Sequence, residues 1–384
     1  MRKKTRATPV MFVYWGRRGL SRFVIEAARE AVANPAIDLT ISVSRQNESF
    51  SAFAEFGSRL VPVDTFSTNL GALGQAWRIP LLRQRIAREI GIRHIEAVIE
   101  FLPHVWSSFV FPTIRSGGVR YAPIIHDAET HPGDYRSFSA QRLIDRSMAQ
   151  ADVVLTLSEA VAGRLAASGS VPRAKLVSLF HPDLDFGVRD ACPAPRAGDP
   201  IRLAFLGRIM PYKGLPLFLD AIDLLRAEGV PVSVGVFGEG ALGESAPRLA
   251  SMGAEVINRW LTEQEIGAIL PRYHALVLSH IEASQSGVAA TAFGAGLPVV
   301  ATPAGGLLEQ VQDGINGVIA THVGASELRD AVKRLLLDEE LFDIVCRNIA
   351  ASRGRRSMPR FVNECVSHAL HVGPVDFLND QAFE

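Results

Sequence analysis

Short apolar runs alternate with longer amphipathic segments along almost the whole chain. In the first half, alternation and β-branched content predict strands at 10–15, 39–43, 97–102, 122–126 and 153–157, the last closing this half. Apolar positions at helical spacing predict helices at 20–33 and 141–149. Strands separated by helices are typical of parallel sheets with crossover connections, so the first half predicts an α/β domain.

A second alternating series follows a stretch of proline, glycine and small residues at 186–200, which is typical of a linker. Its predicted strands are 201–206, 232–237, 255–257, 275–279 and 298–301, and its predicted helices are 215–228, 263–270, 288–295 and 326–337. We therefore expect an N-terminal domain at 1–185 and a C-terminal domain at 201–350. A helical segment at 351–384 can cross back to the first domain. Two doubly wound domains would face each other across a cleft.

Composition narrows the class of protein. The 384 residues are 48% hydrophobic and 21% charged, which is typical of a well-packed globular protein. Forty basic and forty acidic residues balance, so nothing in the overall charge indicates a nucleic-acid partner. No apolar run is long enough to span a bilayer, and the N-terminal run is too short for a secretory signal. The three cysteines, Cys192, Cys346 and Cys365, lack metal-ligand spacing. Their odd number favours a reducing compartment, and we expect a cytoplasmic protein.

The end of the strand at 201–206 is the most informative stretch. Gly207 follows the strand, and the cations Arg208 and Lys213 come at short spacing before the next helix. Ligands of open α/β sheets bind beyond the carboxyl ends of the strands, and phosphates require charge-assisted donors. The pattern therefore predicts a phosphorylated ligand, although an ordinary surface loop can also carry arginine and lysine.

A second phosphate-binding feature is the strand, small-residue loop and helix at 275–295. Free backbone N–H groups and the positive end of the helix dipole near Ser286 and Gly287 suit a diphosphate. Ser284 and Ser286 are equally compatible with ordinary helix capping. Gly238, in the Gly-Glu-Gly segment 238–240, marks a place where backbone must approach a neighbour closely.

In this order and spacing, five short motifs resemble the glycosyltransferases of family 4, the group 1 type with the two-domain GT-B fold. The motifs are Gly-Arg…Lys-Gly at 207–214, Gly-Glu-Gly at 238–240, Glu-Ala-Ser-Gln-Ser-Gly at 282–287, Gly-Leu-Pro-Val-Val-Ala-Thr at 296–302 and Gly-Gly-Leu-Leu-Glu at 305–309. The resemblance covers most of the chain and is strongest at 201–318. It implies an α/β fold of two Rossmann-like domains and a nucleotide-sugar donor linked to UDP or GDP.

The resemblance also implies roles for individual residues. Arg208 and Lys213 would hold the donor diphosphate and stabilise charge on the leaving group, while Glu282 would contact the sugar. The remaining implied donor-binding positions are Gly207, Gly238, Ile257, Trp260, Ser286, Gly287 and Glu309. Ile257 to Trp260 would hold the base, largely through backbone atoms. Members of the family usually retain anomeric configuration and require neither a metal nor another cofactor.

One position departs from the family pattern. Typical members carry two glutamates separated by seven residues, and the second falls here on Ala290 or Thr291, depending on the register. Some members share the Glu-Ala-Ser-Gln-Ser-Gly form, so we interpret the change as variation among active enzymes. Glu309 is a candidate for the ribose, and a solvent-facing residue at a helix start is an equally good interpretation.

The first half offers candidate acceptor residues. Gly16 and Arg17 follow the first strand, where the alternative is a plain turn with a solvated arginine. His126, Asp127 and His131 follow another strand, and His126 is a candidate catalytic group because an imidazole beside an acid can hydrogen-bond a sugar hydroxyl. A lone histidine at a strand end would more often be structural. A zinc site lacks a third clustered ligand.

Five arginines are interleaved with apolar residues at 77–93. A basic amphipathic helix of this kind suits an anionic membrane surface, which would fit a lipid-linked acceptor. A helix packed on its own sheet with a solvated face is the commoner explanation. Asp183 and Asp185 are spaced like a metal-binding pair, and we interpret this as chance.

The sequence thus predicts a retaining hexosyltransferase that uses a nucleotide sugar and a sugar or lipid-linked acceptor in polysaccharide or glycoconjugate synthesis. Two alternatives remain open. A GT-B sugar-nucleotide epimerase would act on the donor alone, and a catalytically silent partner subunit would bind nucleotide without turnover.

Overall fold

The chain folds into two compact units, each built on a parallel sheet. The computed structural model describes residues 6–114, 118–128, 138–188, 194–196 and 198–371. Within these residues the first unit holds the chain up to 128, residues 138–180 and the segment from Met358 onward, and the second unit holds 181–357. Both units are of the α/β class.

The first unit contains a seven-stranded sheet. In chain order its strands are β1 (Thr8–Tyr14), β2 (Ile37–Ser44), β3 (Leu60–Val63), β4 (Ala97–Leu102), β5 (Arg120–Ile125), β6 (Val154–Thr156) and β7 (Leu176–Ser178). Their spatial order is β3-β2-β1-β4-β5-β6-β7, and every pair is parallel. The order reverses beside β1, which is the doubly wound arrangement in which ligands bind at the carboxyl ends of the strands.

The helices of this unit connect the strands. They are α1 (Ser21–Ala33), α2 (Asn69–Gly74), α3 (Ile79–Arg93), α4 (Ser107–Ile114), α5 (Phe138–Ala149) and α6 (Glu159–Ala167). A later helix, which we number α14 (Met358–Leu370), also packs here. Its Phe361 ring lies 5.1 Å from the ring of Phe23 on α1, and Arg120 Nε donates to the carbonyl of Ala369 at 2.7 Å.

The second unit contains a six-stranded parallel sheet in the order β10-β9-β8-β11-β12-β13. The strands are β8 (Ile201–Leu206), β9 (Val232–Phe237), β10 (Glu255–Ile257), β11 (Ala275–Leu278), β12 (Val299–Ala301) and β13 (Gly317–Ile319). The helices are α7 (Leu215–Ala227), α8 (Ser245–Ser251), α9 (Glu263–Ile269), α10 (Gly287–Ala295), α11 (Leu307–Gln310), α12 (Ala325–Leu336) and α13 (Glu339–Ala351). Here too the order reverses at the first strand, beside β8.

The predicted strands and helices are confirmed, each within three residues at either end. The prediction that 153–157 closes the first half was wrong, because β7 pairs with β6 beyond it. The strands β3, β7 and β13 were also missed. Each has only three or four residues, and β3 contains a proline, so none offers enough alternating positions for its periodicity to stand out.

A carboxyl group lies buried in the centre of the first sheet. Glu100 on β4 has no exposed surface and accepts hydrogen bonds from Ser107 Oγ, from Tyr121 Oη and from the amide of His104 at 3.1 Å. Tyr121 Oη also lies 2.7 Å from Ser147 Oγ. Burial raises the pKa of Glu100 to about 7, and the hydrogen bonds from Ser107 and Tyr121 offset only part of that effect.

The buried carboxyl makes stability depend on pH. The folded pKa exceeds the ordinary value of 4.5, so folded protein binds more protons between pH 4.5 and 7, and stability falls as pH rises through that window. The shift corresponds to about 3 kcal/mol. We expect Glu100→Gln to remove this dependence: relative to the parent, it should gain stability at pH 8 and not at pH 4.5.

Urea unfolding at the two pH values measures the effect, with Glu96→Gln, at an exposed position, as the control. A Glu100→Gln variant whose stability tracks that of the parent across this range would contradict the assignment.

Candidate functional site

Lys213 and the first turn of α10 meet at the carboxyl end of β8. Gly207 follows β8 with φ +104°, a conformation that favours glycine. The Lys213 Nζ atom lies 3.2 Å from the position that a Cβ on Gly207 would occupy, and Val288 Cγ2 lies 3.1 Å from the same position. The ammonium group and the Val288 side chain of α10 therefore both lie beside the bare backbone of Gly207. Arg208, on the same loop, has an exposed side chain.

The loop at 207–214, which carries Lys213 and which we call the lysine loop, is hydrogen-bonded to the loop at 279–286. Ser279 Oγ lies 3.0 Å from the carbonyl oxygen of Lys213 and 2.9 Å from that of Gly214. Gly214 has φ +67°, and a Cβ there would overlap the carbonyl oxygen of Ser279. Only glycine permits this approach of two backbones. The backbone of Lys213 is thus held against the loop that leads into α10.

Helix α10 presents its N-terminus at this edge. Ser286 is the N-cap, and its hydroxyl accepts from the amide of Ala289 at 3.4 Å, while its carbonyl accepts from the amide of Ala290 at 3.3 Å. The N–H groups of Gly287 and Val288 have no partner within the helix, as in any first turn. The first turn carries no acidic residue, so its positive dipole end is not opposed within the helix. Ser286 therefore caps the helix through the Ala289 amide, and the N–H groups of Gly287 and Val288 stay available to bind an anion.

The Gly-Glu-Gly segment 238–240 packs against the backbone of the loop that begins at Gly207. A Cβ on Gly238 would overlap the carbonyl of Gly207, and one on Gly240 would overlap the carbonyl of Ile209. The close approach predicted at Gly238 is confirmed, and the neighbour is the backbone of the cation-bearing loop. These glycines let the turns after β8 and β9 lie against each other.

The segment predicted to hold a base follows β10. The carbonyl of Ile257 accepts from the amide of Gly238 at 2.9 Å, and Asn258 Oδ1 accepts from the amide of Gly240 at 3.1 Å. The side chain of Trp260 is 48% exposed, so an aromatic face is available for stacking.

The acidic candidates occupy exposed positions near α10 and α11. Glu282 lies in the 279–286 loop, and Glu309 is the third residue of α11; both are exposed. At the position of the second family glutamate, Ala290 is buried and Thr291 donates to the carbonyl of Gly287 at 2.8 Å. Neither side chain is acidic, so neither replaces the second family glutamate. The ribose contact of Glu309 stays a prediction.

In the first unit, Gly16 and Arg17 follow β1. A Cβ on Gly16 would lie 2.8 Å from the Tyr14 ring, so this turn requires glycine for packing reasons. Arg17 Nη1 donates to the Ser67 carbonyl, and its Nη2 lies 3.2 Å from Glu48. Arg18 pairs with the same carboxylate, so the two cations share Glu48.

His126 and Asp127 follow β5 at the same edge of the first sheet. His126 is 6% exposed, and its Nε2 lies 2.8 Å from the carbonyl oxygen of Phe101. A carbonyl only accepts, so Nε2 carries the hydrogen and the ring orientation is fixed. Asp127 is half-buried. His131 lies outside the described residues, and the roles of all three residues stay predictions.

Two residues beside α10 were missed by sequence reasoning. His181 is buried; its Nδ1 lies 2.8 Å from the Pro182 carbonyl, and its Nε2 lies 3.8 Å from the position of a Cβ on Gly287. Gln310, at the end of α11, contacts both backbone polar groups of Ser286. Neither residue stands in a family motif. Their positions depend on how separate segments cross, which no local pattern indicates.

Asp183, which is spaced from Asp185 like a metal-binding pair, forms an ion pair with Arg356. Its carboxylate receives Arg356 Nε at 2.9 and 3.1 Å. Across the described residues no cluster of three His, Cys, Asp or Glu side chains is placed to hold a metal ion. The expectation that no metal is required stays a prediction. In the part of the chain that the structure covers, no helix combines the length and apolar character needed to cross a membrane.

Residues 200–338 match the family described as Glycosyl transferases group 1. The chain is 28% identical over 382 residues to a D-inositol 3-phosphate glycosyltransferase of Geodermatophilus obscurus, covering 91% of this chain and 80% of that protein. It is 27% identical over 292 residues to a GDP-mannose-dependent alpha-(1-6)-phosphatidylinositol monomannoside mannosyltransferase of Mycolicibacterium smegmatis, covering 67% of this chain and 72% of that protein.

Among solved structures, Anabaena HepE in complex with UDP and glucose is similar with a TM-score of 0.70 at 15% identity, covering 94% of this chain and 98% of that chain. The fold is therefore of the GT-B class. The matched domain and the relatives make this chain similar to glycosyltransferases of the group 1 type.

Proposed function

We propose that the protein transfers a hexose from a UDP- or GDP-linked sugar to a sugar or lipid-linked acceptor, with retention of anomeric configuration. We place it in glycosyltransferase family 4, among the members that carry Glu-Ala-Ser-Gln-Ser-Gly, and assign it to polysaccharide or glycoconjugate synthesis. The observation that carries the proposal is the Lys213 ammonium held beside Gly207 and the first turn of α10. The GDP-mannose-dependent relative and the UDP-bound neighbour support the same class of donor.

The chemistry follows from where negative charge develops. As the bond between the anomeric carbon and the donor phosphate breaks, its electron pair moves onto the diphosphate. Lys213, Arg208 and the N–H groups of Gly287 and Val288 would stabilise that charge. Donors fixed in advance at such a position require no reorganisation during the reaction and contribute most to the rate.

Retention is compatible with the absence of a carboxylate at the second motif position. The acceptor hydroxyl would attack the face of the sugar from which the diphosphate departs, and a phosphate oxygen would take its proton. The donor would then serve as the base, and Glu282 would orient the sugar. Gly16, Arg17, His126, Asp127 and His131 are the proposed acceptor-side residues.

Transfer assays with labelled UDP- and GDP-hexoses test the function. The acceptor panel includes inositol 3-phosphate, 2-deoxystreptamine and phosphatidylinositol mannoside, suggested by the relatives. We expect acceptor-dependent product whose anomeric proton coupling matches that of the donor. Conversion of donor without acceptor would instead favour an epimerase. Nucleotide binding without turnover of any donor would favour a silent subunit.

The helix α3 supports a lipid-linked acceptor. Its buried face is formed by Leu82, Ile86 and Ile90. Trp77, in the turn that precedes α3, and an exposed stripe of the helix at helical spacing mix apolar and cationic residues; the stripe is Leu81, Arg85, Arg88 and Ile92. Trp77 is 65% exposed and Leu81 57%. An interfacial tryptophan with flanking arginines suits an anionic lipid surface.

We expect the double variant Trp77→Ser/Leu81→Ser to lower binding to phosphatidylglycerol–phosphatidylcholine vesicles at least tenfold in a sedimentation assay. Each side chain would lose roughly 1.5–3 kcal/mol of apolar burial on membrane insertion. Leu337→Ser, at an exposed leucine following α12, is the matched control and should bind as the parent does. Equal binding by parent and double variant would exclude α3 as the lipid contact.

A further inference from the structure

The loop at 279–286 carries the N-cap of α10, and it is tied down at both ends. At its start, Ser279 bonds to the lysine loop, and the hydroxyl of Thr302 donates to the carbonyl of His280. Further on, the amide of Gly306 donates to the carbonyl of Ala283 at 3.0 Å. These contacts fix the loop as far as Ala283, and the N-cap lies three residues beyond.

Gln310 supplies the last attachment. Its Oε1 accepts from the amide of Ser286 at 2.6 Å, and its Nε2 donates to the carbonyl of Ser286 at 3.2 Å. One side-chain amide therefore holds both polar groups of the N-cap residue. This pairing mimics a strand-like backbone contact and sets the orientation of the chain as it enters α10.

Gln310 is itself held in place. Asn316, which is 2% exposed, donates from Nδ2 to the carbonyl of Gln310 at 3.0 Å and accepts from the amide of Gln312 at 2.7 Å. Gln310 lies at the end of α11, whose adjoining residues pack in the core of the second unit. Gln310 therefore connects the core of the second unit to Ser286, the residue that precedes Gly287.

We propose that Gln310 is a positioning residue for the donor diphosphate, acting through the Ser286 backbone to aim the N–H groups of Gly287 and Val288. The inference rests on the proposed function, because it assumes that phosphates bind at this turn. Displacement of such donors by a fraction of an ångström weakens charge-assisted bonds to a phosphate. The contacts of a nucleotide base that binds elsewhere in the site would not change with that displacement.

Gln310→Met tests the proposal, because it keeps the length of the side chain and removes both hydrogen bonds. Calorimetric titration would compare UDP with uridine, or GDP with guanosine, according to which nucleotide the parent binds. We expect affinity for the diphosphate to fall about tenfold, the size of change produced by one or two hydrogen bonds, and affinity for the nucleoside to stay the same. In turnover, KM for the donor should rise and KM for the acceptor should not.

Two further variants serve as a test of charge and as a matched control. Gln310→Glu keeps the acceptor for the Ser286 amide, loses the donor to the Ser286 carbonyl and places a negative charge near the phosphates; it should bind the diphosphate more weakly than the methionine variant does. Gln312→Met, the same change at an exposed residue two positions on, should match the parent.

Unchanged diphosphate affinity in both Gln310 variants would overturn the proposal, as would an equal loss for nucleoside and nucleotide. Failure of the parent to bind any nucleotide would instead refute the proposed function.

Discussion

Replacing Lys213 by alanine is expected to lower kcat/KM for the donor by about a hundredfold or more, the usual cost of removing one fixed donor to a developing anion. The structure places the Lys213 ammonium beside Gly207, and alanine at this position has no group that reaches the same place. The loss should appear in kcat as well as in KM, because the charge on the diphosphate grows in the transition state. Initial rates over a range of donor concentration measure both parameters.

The matched control is Lys333→Ala, which removes a lysine of α12 that pairs with Glu228 at 2.6 Å. An exposed pair of this kind contributes little, so activity should be unchanged. Full activity in the double variant Arg208→Ala/Lys213→Ala would show that the cation loop takes no part in the reaction.

The second large effect concerns the ion pair of Asp183 and Arg356, whose side chains are 10% and 18% exposed. The amide of Asp183 also donates to the Arg356 carbonyl at 2.9 Å, and the guanidinium lies 4.9 Å from the ring centre of Phe293. Burial raises the pKa of Asp183 to about 6, although the hydrogen bond and the charge of Arg356 act to lower it. The carboxylate is therefore ionised at pH 8 and is stabilised mainly by Arg356, with a smaller contribution from the charge of Arg353.

We expect Arg356→Met to destabilise the folded protein by about 3 kcal/mol at pH 8, because it leaves a buried carboxylate without its counter-ion. For a unit of this size the melting temperature should fall by roughly 6–12 °C. Without Arg356 the folded pKa rises still further above 3.8, so the penalty is present at high pH and shrinks as pH falls toward 5 and Asp183 is protonated. Thermal unfolding of the full chain at pH 8 and pH 5 measures the difference.

Two comparisons separate charge from packing. Asp183→Leu/Arg356→Met removes both charges and should recover part of the loss, since buried pairs can be replaced by apolar groups at little cost. Arg347→Met, on the exposed side of α13, should melt as the parent does. A loss in Arg356→Met that is identical at both pH values would contradict an electrostatic origin.

Much of the fold and part of the site follow from local sequence. Strands such as β8 and β9 have six residues with clear apolar content, and the glycine that follows β9 marks a close backbone approach that the structure confirms at Gly238. These features are encoded within a few consecutive residues. The donor-site motifs were recognisable for the same reason.

Features that depend on contacts between distant segments could not be predicted. The pairing of Asp183 with Arg356 joins residues 173 positions apart, so no local pattern around Asp183 predicted it. Gln310 has no distinguishing sequence context, because its role arises only where α11 passes beside Ser286. The fixed hydrogen bond of His126 to Phe101 likewise depends on two neighbouring strands ending together.

Hydrogen exchange of the full chain, with and without the nucleotide diphosphate that it binds, tests most directly where the donor is held. The structure predicts protection in peptides that cover 207–214 and the first turn of α10, and loss of that protection in Lys213→Ala. Protection confined to the first unit, or none at saturating UDP and GDP, would contradict a donor site at this edge of the second sheet.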